Sequence, residues 1–157
     1  MMDWIAPITD RTADDVRAAR EALADRMAGG SAETVNLRGC IGAADLDRIE
    51  GDTAYLAGAL TGYGFPVSVV TRTWQRSDLP TSADVQRIIS NVSALGGAFY
   101  RMQNAPELPA GIGTYADANA IEENLLGIWQ LIAGMTASFR KCGTFRSGAR
   151  RILPIKR

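Results

Sequence analysis

Residues 44–52 have the sequence ADLDRIEGD, residues 83–91 ADVQRIISN and residues 116–124 ADANAIEEN, and these three related stretches decide the fold. When each first Asp is counted as position zero, an isoleucine stands at position four, and Asp, Asn and Asn stand at position seven. Apolar residues follow each start at spacings of three and four, which is typical of a helix that packs on other helices. The copies start thirty-nine and thirty-three residues apart, as repeated supersecondary units do.

The pattern also places the predicted helices. The first copy predicts a helix over about residues 43–60, and the third predicts a long helix that continues to about Ser138. Ahead of the copies, Thr12 and the acids after it are typical of a helix start, and Gly29 of a helix end, so another helix is expected over residues 14–27. We therefore predict an all-α fold, a helical bundle of about four helices with three internal helix repeats.

Minor β structure is expected beside the helices. β-Branched residues at 67–74 and turn residues at 142–147 predict short extended or hairpin segments. At 157 residues and 46% apolar composition, the chain fits a single helical domain that needs neither disulfide nor metal. Its expected parts are an N-terminal helix and loop (1–42), three repeat helices (43–138) and a basic C-terminal arm (139–157).

The composition argues against catalysis. The chain has no histidine, and so lacks the commonest general base and the commonest metal ligand. The repeated Asp45, Asp84 and Asp117 stand at predicted helix starts, where the positive end of the helix dipole explains them. We therefore predict that the protein is not an enzyme and has no catalytic residue, no metal site and no cofactor.

Charge is sorted along the chain. Residues 1–123 carry seventeen acidic and ten basic side chains, a net charge of minus seven, whereas residues 124–157 carry seven basic side chains and no acid. The basic arm is suited to an acidic surface of its own chain or of a neighbouring subunit, and we favour such a protein contact over nucleic acid. The candidate interface residues of the arm are Arg140, Lys141, Phe145, Arg146, Arg150 and Arg151.

Two further sets of residues are candidates for contacts. Trp4 and Trp74 stand in polar, proline-containing stretches, where aromatic residues anchor interfaces or cover a core, and where a sugar-binding role is an alternative. The residues at position seven adjoin the apolar seam, so inward-pointing side chains there would bond across helices and set their register. These candidate register-setting residues are Asp52, Asn91 and Asn124.

The chain is not expected to enter a membrane or to carry a signal peptide. Its amino terminus has neither a basic region nor a long apolar run. The most apolar stretch, residues 121–135, is interrupted by Glu122, Glu123 and other polar residues. Synthesis in a reducing cytoplasm is therefore expected.

Weak motifs in a fixed order suggest a family. They cover most of residues 4–148, and no single one is specific by itself. The motifs are Thr-Asp-Arg-Thr at 9–12, Ala-Asp-Leu-Asp-Arg-Ile-Glu at 44–50, Trp74 with Asp78-Leu-Pro-Thr, Arg87-Ile with Asn91, Tyr-Ala-Asp-Ala-Asn at 115–119 with Ile121-Glu122, Phe139-Arg with Gly143, and Ser147-Gly148.

In this order of motifs the chain resembles small structural proteins of bacteriophage tails and baseplates, of the kind that prophages of Gram-positive hosts encode. The resemblance implies a non-enzymatic role in virion assembly, or as an attachment domain that joins the tail to a fibre or receptor-binding part. It also implies location in the virion tail, other tail or baseplate proteins as partners, and a homo-oligomer. The alternative is a binding module for a cell-surface saccharide or for nucleic acid.

Overall fold

The computed structural model describes residues 3–30 and 37–139. This part of the chain contains no β-strand, and its helices are α1 (Ala13–Met27), α2 (Ala43–Gly62), α3 (Ser82–Ala98) and α4 (Tyr115–Ser138). The predicted all-helical bundle of four helices is therefore confirmed. The β structure predicted at residues 67–74 is wrong, and the segment predicted at 142–147 lies outside the described residues.

Capping boxes start three of the helices. In α3, the Thr81 hydroxyl accepts a hydrogen bond from the Asp84 N–H, and the Asp84 carboxylate accepts one from the Thr81 N–H. The Thr81 hydroxyl also donates to the Asp84 carboxylate at 2.7 Å, and the hydrogen bonds from this hydroxyl and from the Thr81 N–H lower the pKa of Asp84 to about 2. The same arrangement starts α1 and α4. Because its cap residue is Gly42, α2 keeps only half of the box, in which Asp45 accepts from the Gly42 N–H.

The core forms where α2, α3 and α4 pack against one another in all three pairs. Burial of one aliphatic side chain in this core contributes about 1.5–3 kcal/mol of stability relative to leaving that side chain exposed. The core side chains come from the apolar stripes that the spacing of three and four predicts. The largest of those that are fully buried are Ile49, Leu56, Leu60, Ile88, Leu95, Ile121, Leu125 and Ile128.

Helix α1 lies outside this core. Ala19 is its one buried residue, while the apolar side chains of Leu23 and Met27 are 42% and 90% exposed. The start of α1 packs closely on the loop before α2, because a Cβ atom on Gly39 would lie 2.3 Å from the carbonyl carbon of Asp15. The helix is therefore attached at its first turns, and its C-terminal half is exposed.

Three non-helical segments accompany the three core helices, and the third begins with a turn in which the Ala105 N–H donates to the Met102 carbonyl. We call residues 3–11 strap 1, residues 65–75 strap 2 and residues 101–112 strap 3. Straps 2 and 3 lead from the end of one core helix back to the start of the next, so α2, α3 and α4 run parallel. Alternate side chains of strap 2 are half-buried between residues 65 and 71, as in a strand on a core. Its backbone instead bonds to helix side chains, which is why no sheet forms.

Candidate functional site

The polar residues at position seven hold the straps. In Asn91, Oδ1 accepts from the Val70 N–H at 3.2 Å and Nδ2 donates to the Val70 carbonyl at 2.8 Å. Asn124 donates to the carbonyl of Pro106 at 2.9 Å, and Asp52 accepts from the Ile5 N–H at 3.0 Å.

All three side chains are buried. The sequence predicted that these residues bond across helices. In the structure each of them bonds to the backbone of a strap, because the straps lie in the grooves between helices. These residues are therefore placed to influence the position of a strap along its helix, and not the register between two helices. Their register-setting role stays a prediction.

The residues at position two bind the other end of each strap from the neighbouring helix. Asp47 of α2 accepts from the Trp74 N–H at 2.7 Å, and Gln86 of α3 donates to the Ala110 carbonyl at 2.5 Å. Asn119 of α4 bonds to both the N–H and the carbonyl of Arg11, at 3.2 and 2.9 Å. Each strap therefore bridges two helices. Strap 1 joins α2 and α4, strap 2 joins α3 and α2, and strap 3 joins α4 and α3.

Positions three and five line the grooves under the straps. In groove 1, between α4 and α2, Arg48 Nη2 lies 2.8 Å from Glu122 Oε1, and in groove 2, between α2 and α3, Arg87 Nη2 lies 2.7 Å from Glu50 Oε1. In groove 3, between α3 and α4, the corresponding places hold Ile89 and Ala120, which cannot form an ion pair.

These ion pairs were missed in the sequence analysis. A signal was present, since the same alignment has Arg, Arg and Ala at position three and Glu, Ile and Glu at position five. The spacing along one helix does not show, however, which residues of different helices face each other.

Groove 1 contains the most deeply buried ion pair among the described residues. Arg11 of strap 1 places Nη2 2.8 Å from Glu122 and 2.9 Å from Asp45, and the side chains of Arg11 and Glu122 are both 1% exposed. Glu122 also accepts from the Ile8 N–H at 2.6 Å. Burial opposes the charge on Arg48, but hydrogen bonds to Glu122 and Asp45 outweigh it and raise the pKa of Arg48. The cluster thus pairs two guanidinium groups with two carboxylates, while Arg11 Nε has no hydrogen-bond partner among the described residues.

The two tryptophans predicted as interface residues differ. Trp74 is buried at 3% exposure, its Nε1 donates to Glu50 at 3.3 Å, and Arg72 covers its ring at 4.0 Å. Its prediction as an interface or sugar-binding residue is therefore wrong, because the ring belongs to the core. Trp4 is half-buried and stacks on Trp129, with ring centroids 5.4 Å apart, so its ring is used within the chain.

The predicted interface residues of the basic arm lie outside the described residues, and their role stays a prediction. The chain reaches the arm at Phe139, directly after α4. Phe139 is 54% exposed and lies beside the exposed Tyr63 at the end of α2, with ring centroids 6.0 Å apart. An aromatic surface therefore surrounds the point where the arm begins.

Other parts of the molecule hold little convergent chemistry. A cavity of about 690 Å³ lies between the start of α1 and the start of α4, with mostly apolar lining from Val16, Ile41, Ile112 and similar residues. In residues 3–30 and 37–139, no group of three or more Cys, Asp and Glu side chains is placed to hold a metal ion. The charged side chains in the grooves bind partners within the chain.

Comparisons with family models, with curated proteins and with solved structures found no match. Within the described ranges, every helix is too short or too polar to cross a membrane. The fold and the grooves define a helical bundle in which non-helical straps are bound by buried polar side chains.

Proposed function

We propose that the protein is a structural, non-enzymatic component of a phage tail or baseplate, which acts in virion assembly or attaches a tail fibre or receptor-binding part. The observation that carries the proposal is the cyclic use of positions two and seven, through which each strap bridges two core helices. We interpret the three strap-and-helix units as an internal repeat around an approximate threefold axis. Because every strap bridges two helices, the bundle is expected to be rigid, and rigidity suits a protein that acts in assembly.

The chemistry of the grooves also supports a structural role. Catalytic acids and bases are tuned towards neutral pH and face a substrate cavity. Here hydrogen bonds lower the pKa of Asp84, and hydrogen bonds with Gly42 and Arg48 outweigh the effect of burial and lower that of Asp45. Asp52 is the exception, with a raised pKa, but it is 1% exposed and has no access to a substrate.

The proposed contact surface lies at the end of the bundle where the arm begins. Residues 1–123 have a net charge of minus seven and the seven basic residues after them have no acid among them, so the arm of one copy complements the bundle of another. The exposed aromatic rings of Tyr63 and Phe139 are suited to the centre of such a contact. We propose a homo-oligomer that also binds other tail or baseplate proteins.

The test measures the solution mass of the full chain by light scattering during size-exclusion chromatography. We expect an oligomer that dissociates to a monomer when Arg146, Arg150 and Arg151 are replaced together by Glu. The matched control is Arg76→Glu on the exposed surface of the bundle, which should leave the mass unchanged. A full-length monomer would contradict the proposed homo-oligomer. Salt-sensitive binding of single-stranded DNA that the triple replacement abolishes would favour the nucleic-acid alternative.

A further inference from the structure

Asp52 differs from its two counterparts at position seven. Asn91 and Asn124 each have an amide nitrogen that donates hydrogen bonds, Asn91 to Val70 and Asn124 to Pro106 and Ala120. Asp52 has a second carboxylate oxygen instead. That atom, Oδ2, is buried and has no hydrogen-bond partner among the described residues. An acceptor thus stands where the other two units have a donor.

A proton would remove this mismatch. An ionised carboxylate only accepts hydrogen bonds, whereas a protonated one has an O–H donor and resembles an amide in shape and bonding. With Oδ1 bound to the Ile5 N–H, a proton on Oδ2 would supply the donor that the amide nitrogen supplies in Asn91 and Asn124. Without that proton, a buried charge lacks a partner at one of its two oxygens, which is costly.

The net effect of the surroundings of Asp52 also favours its protonated form. Burial is the main cause that raises the pKa of Asp52, from a usual value of 3.8 to about 6, and Glu122 of α4 raises it further. The Ile5 N–H of strap 1 and Arg48 of α2 oppose the rise without cancelling it. The unpaired Oδ2 and the raised pKa therefore both favour the protonated form of Asp52.

We propose that Asp52 is a proton-operated latch, which binds the first residues of strap 1 to α2 when it is protonated and loosens them when it ionises. The remaining polar contacts of strap 1 lie further along the strap and stay in place; Ile8 and Arg11 make them with Glu122, Asn119 and Asp45. Loosening affects the end that holds Ile5 and Trp4. Its consequence is that Trp4 leaves Trp129 and Tyr55, and that an aromatic surface between α2 and α4 becomes accessible.

The sign of the pH dependence follows from the two states. The pKa of Asp52 is higher when the strap is bound than when it is loose, so binding of the strap takes up a proton and is favoured by acid. If the pKa of Asp52 returns from about 6 to its usual 3.8 when the strap is loose, the equilibrium constant for binding of the strap end should be roughly 25-fold smaller at about pH 7.5 than at about pH 4.5. The capping acids Asp45, Asp84 and Asp117, whose pKa values are lowered, stay ionised in this range.

The experiment follows the amide of Ile5 in the full-length protein. We would measure its hydrogen-exchange protection factor by NMR across this pH range, together with tryptophan fluorescence as a report on Trp4. In the wild type we expect protection to fall as the pH rises through about 6. In Asp52→Asn, which is nearly isosteric, protection should stay high and constant. A wild-type protection factor that does not change, or one whose change persists in Asp52→Asn, would overturn the latch.

A reciprocal variant tests the same idea at another strap. Asn91→Asp places a carboxyl group at position seven of α3, and the amide of Val70 should then lose protection as the pH rises. The amide of Ile5 should keep its wild-type behaviour in that variant. If Val70 stays equally protected at all pH values while circular dichroism shows an intact fold, the assignment of the latch to this position is wrong.

Discussion

Groove 1 and groove 3 occupy corresponding places between the starts of two helices, but their contents are opposite. In groove 1, Arg48 and Arg11 share the buried carboxylate of Glu122. In groove 3 the corresponding places hold Ala120 and Ile89, and the helices pack there without an ion pair. An ion pair is thus not required to close a groove. This agrees with the general finding that buried ion pairs add little net stability over apolar residues, although breaking one is costly.

The straps of the two grooves also differ in how closely the chain connects them to the helix that binds them. Strap 3 leads directly into α4, the helix that binds it through Asn124. Strap 1 is separated from α2 by α1 and the loop after it, so the chain does not hold it near its groove as closely. Arg11 compensates by binding both Asp45 of α2 and Glu122 of α4. The comparison therefore suggests that charge in groove 1 serves to attach a remote strap.

The largest effect is expected from breaking groove 1. Glu122→Ala leaves Arg11 and Arg48 without this buried carboxylate and should lower the free energy of unfolding by about 3–5 kcal/mol. The measurement is urea unfolding followed by circular dichroism. The neighbouring Glu123 is exposed, and Glu123→Ala should change stability by less than about 0.5 kcal/mol. Equal effects of the two replacements would show that the cluster does not attach strap 1.

A double replacement in groove 2 would sharpen the comparison. Arg87→Ala alone leaves Glu50 buried without its ion-pair partner and should cost about 2–4 kcal/mol. Adding Glu50→Ile gives groove 2 the residues of groove 3 and should recover most of that loss, even though Trp74 loses a hydrogen bond to Glu50. A double-mutant cycle measures the coupling. If the stability losses of Arg87→Ala and Glu50→Ile were strictly additive, groove 2 could not pack with apolar residues as groove 3 does.

The smallest effect concerns the helix caps, in which α2 differs from α4. Gly42 has an extended backbone, with φ −114° and ψ −177°, and an added Cβ would meet no atom within 4 Å. Gly42→Thr should therefore complete the capping box and raise stability by about 0.5 kcal/mol, which corresponds to a Tm increase of about 1–2 °C. Thr114→Gly in α4 should lower stability by a similar amount. Calorimetry of both variants checks the pair, and a destabilised Gly42→Thr would contradict the expectation.

Much of the helical fold could be predicted. The helix expected over residues 14–27 is α1, and the end expected at Ser138 is the end of α4. These predictions succeed because capping and apolar periodicity act over a few residues. The prediction of β structure at 67–74 failed because strand formation depends on hydrogen-bond partners that are distant in the sequence. Strap 2 has the alternating burial of a strand, but the sequence does not show that Asn91 and Asp47 supply its hydrogen-bond partners.

The candidate contacts could be predicted less well. The polar stretch around Trp74 left two alternatives, an interface and a core cover, and Trp74 is buried in the core. Its hydrogen-bond partner Glu50 lies in α2, 24 residues earlier in the chain, so the neighbouring sequence could not decide between them. Position seven was noticed because the polar residue recurs, yet its partner is the strap rather than another helix.

Local sequence patterns place the helix starts and the buried stripes of the three core helices, because both depend on hydrogen bonds and periodicity within single helices. Only the tertiary structure decided which polar residues meet, including the pairing of Arg11 and Arg48 with Glu122 and the binding of strap 1 by Asp52. Such contacts depend on the rotation and spacing of helices whose residues lie 40 to more than 100 positions apart. No local pattern specifies that geometry, since it results from packing of the whole core.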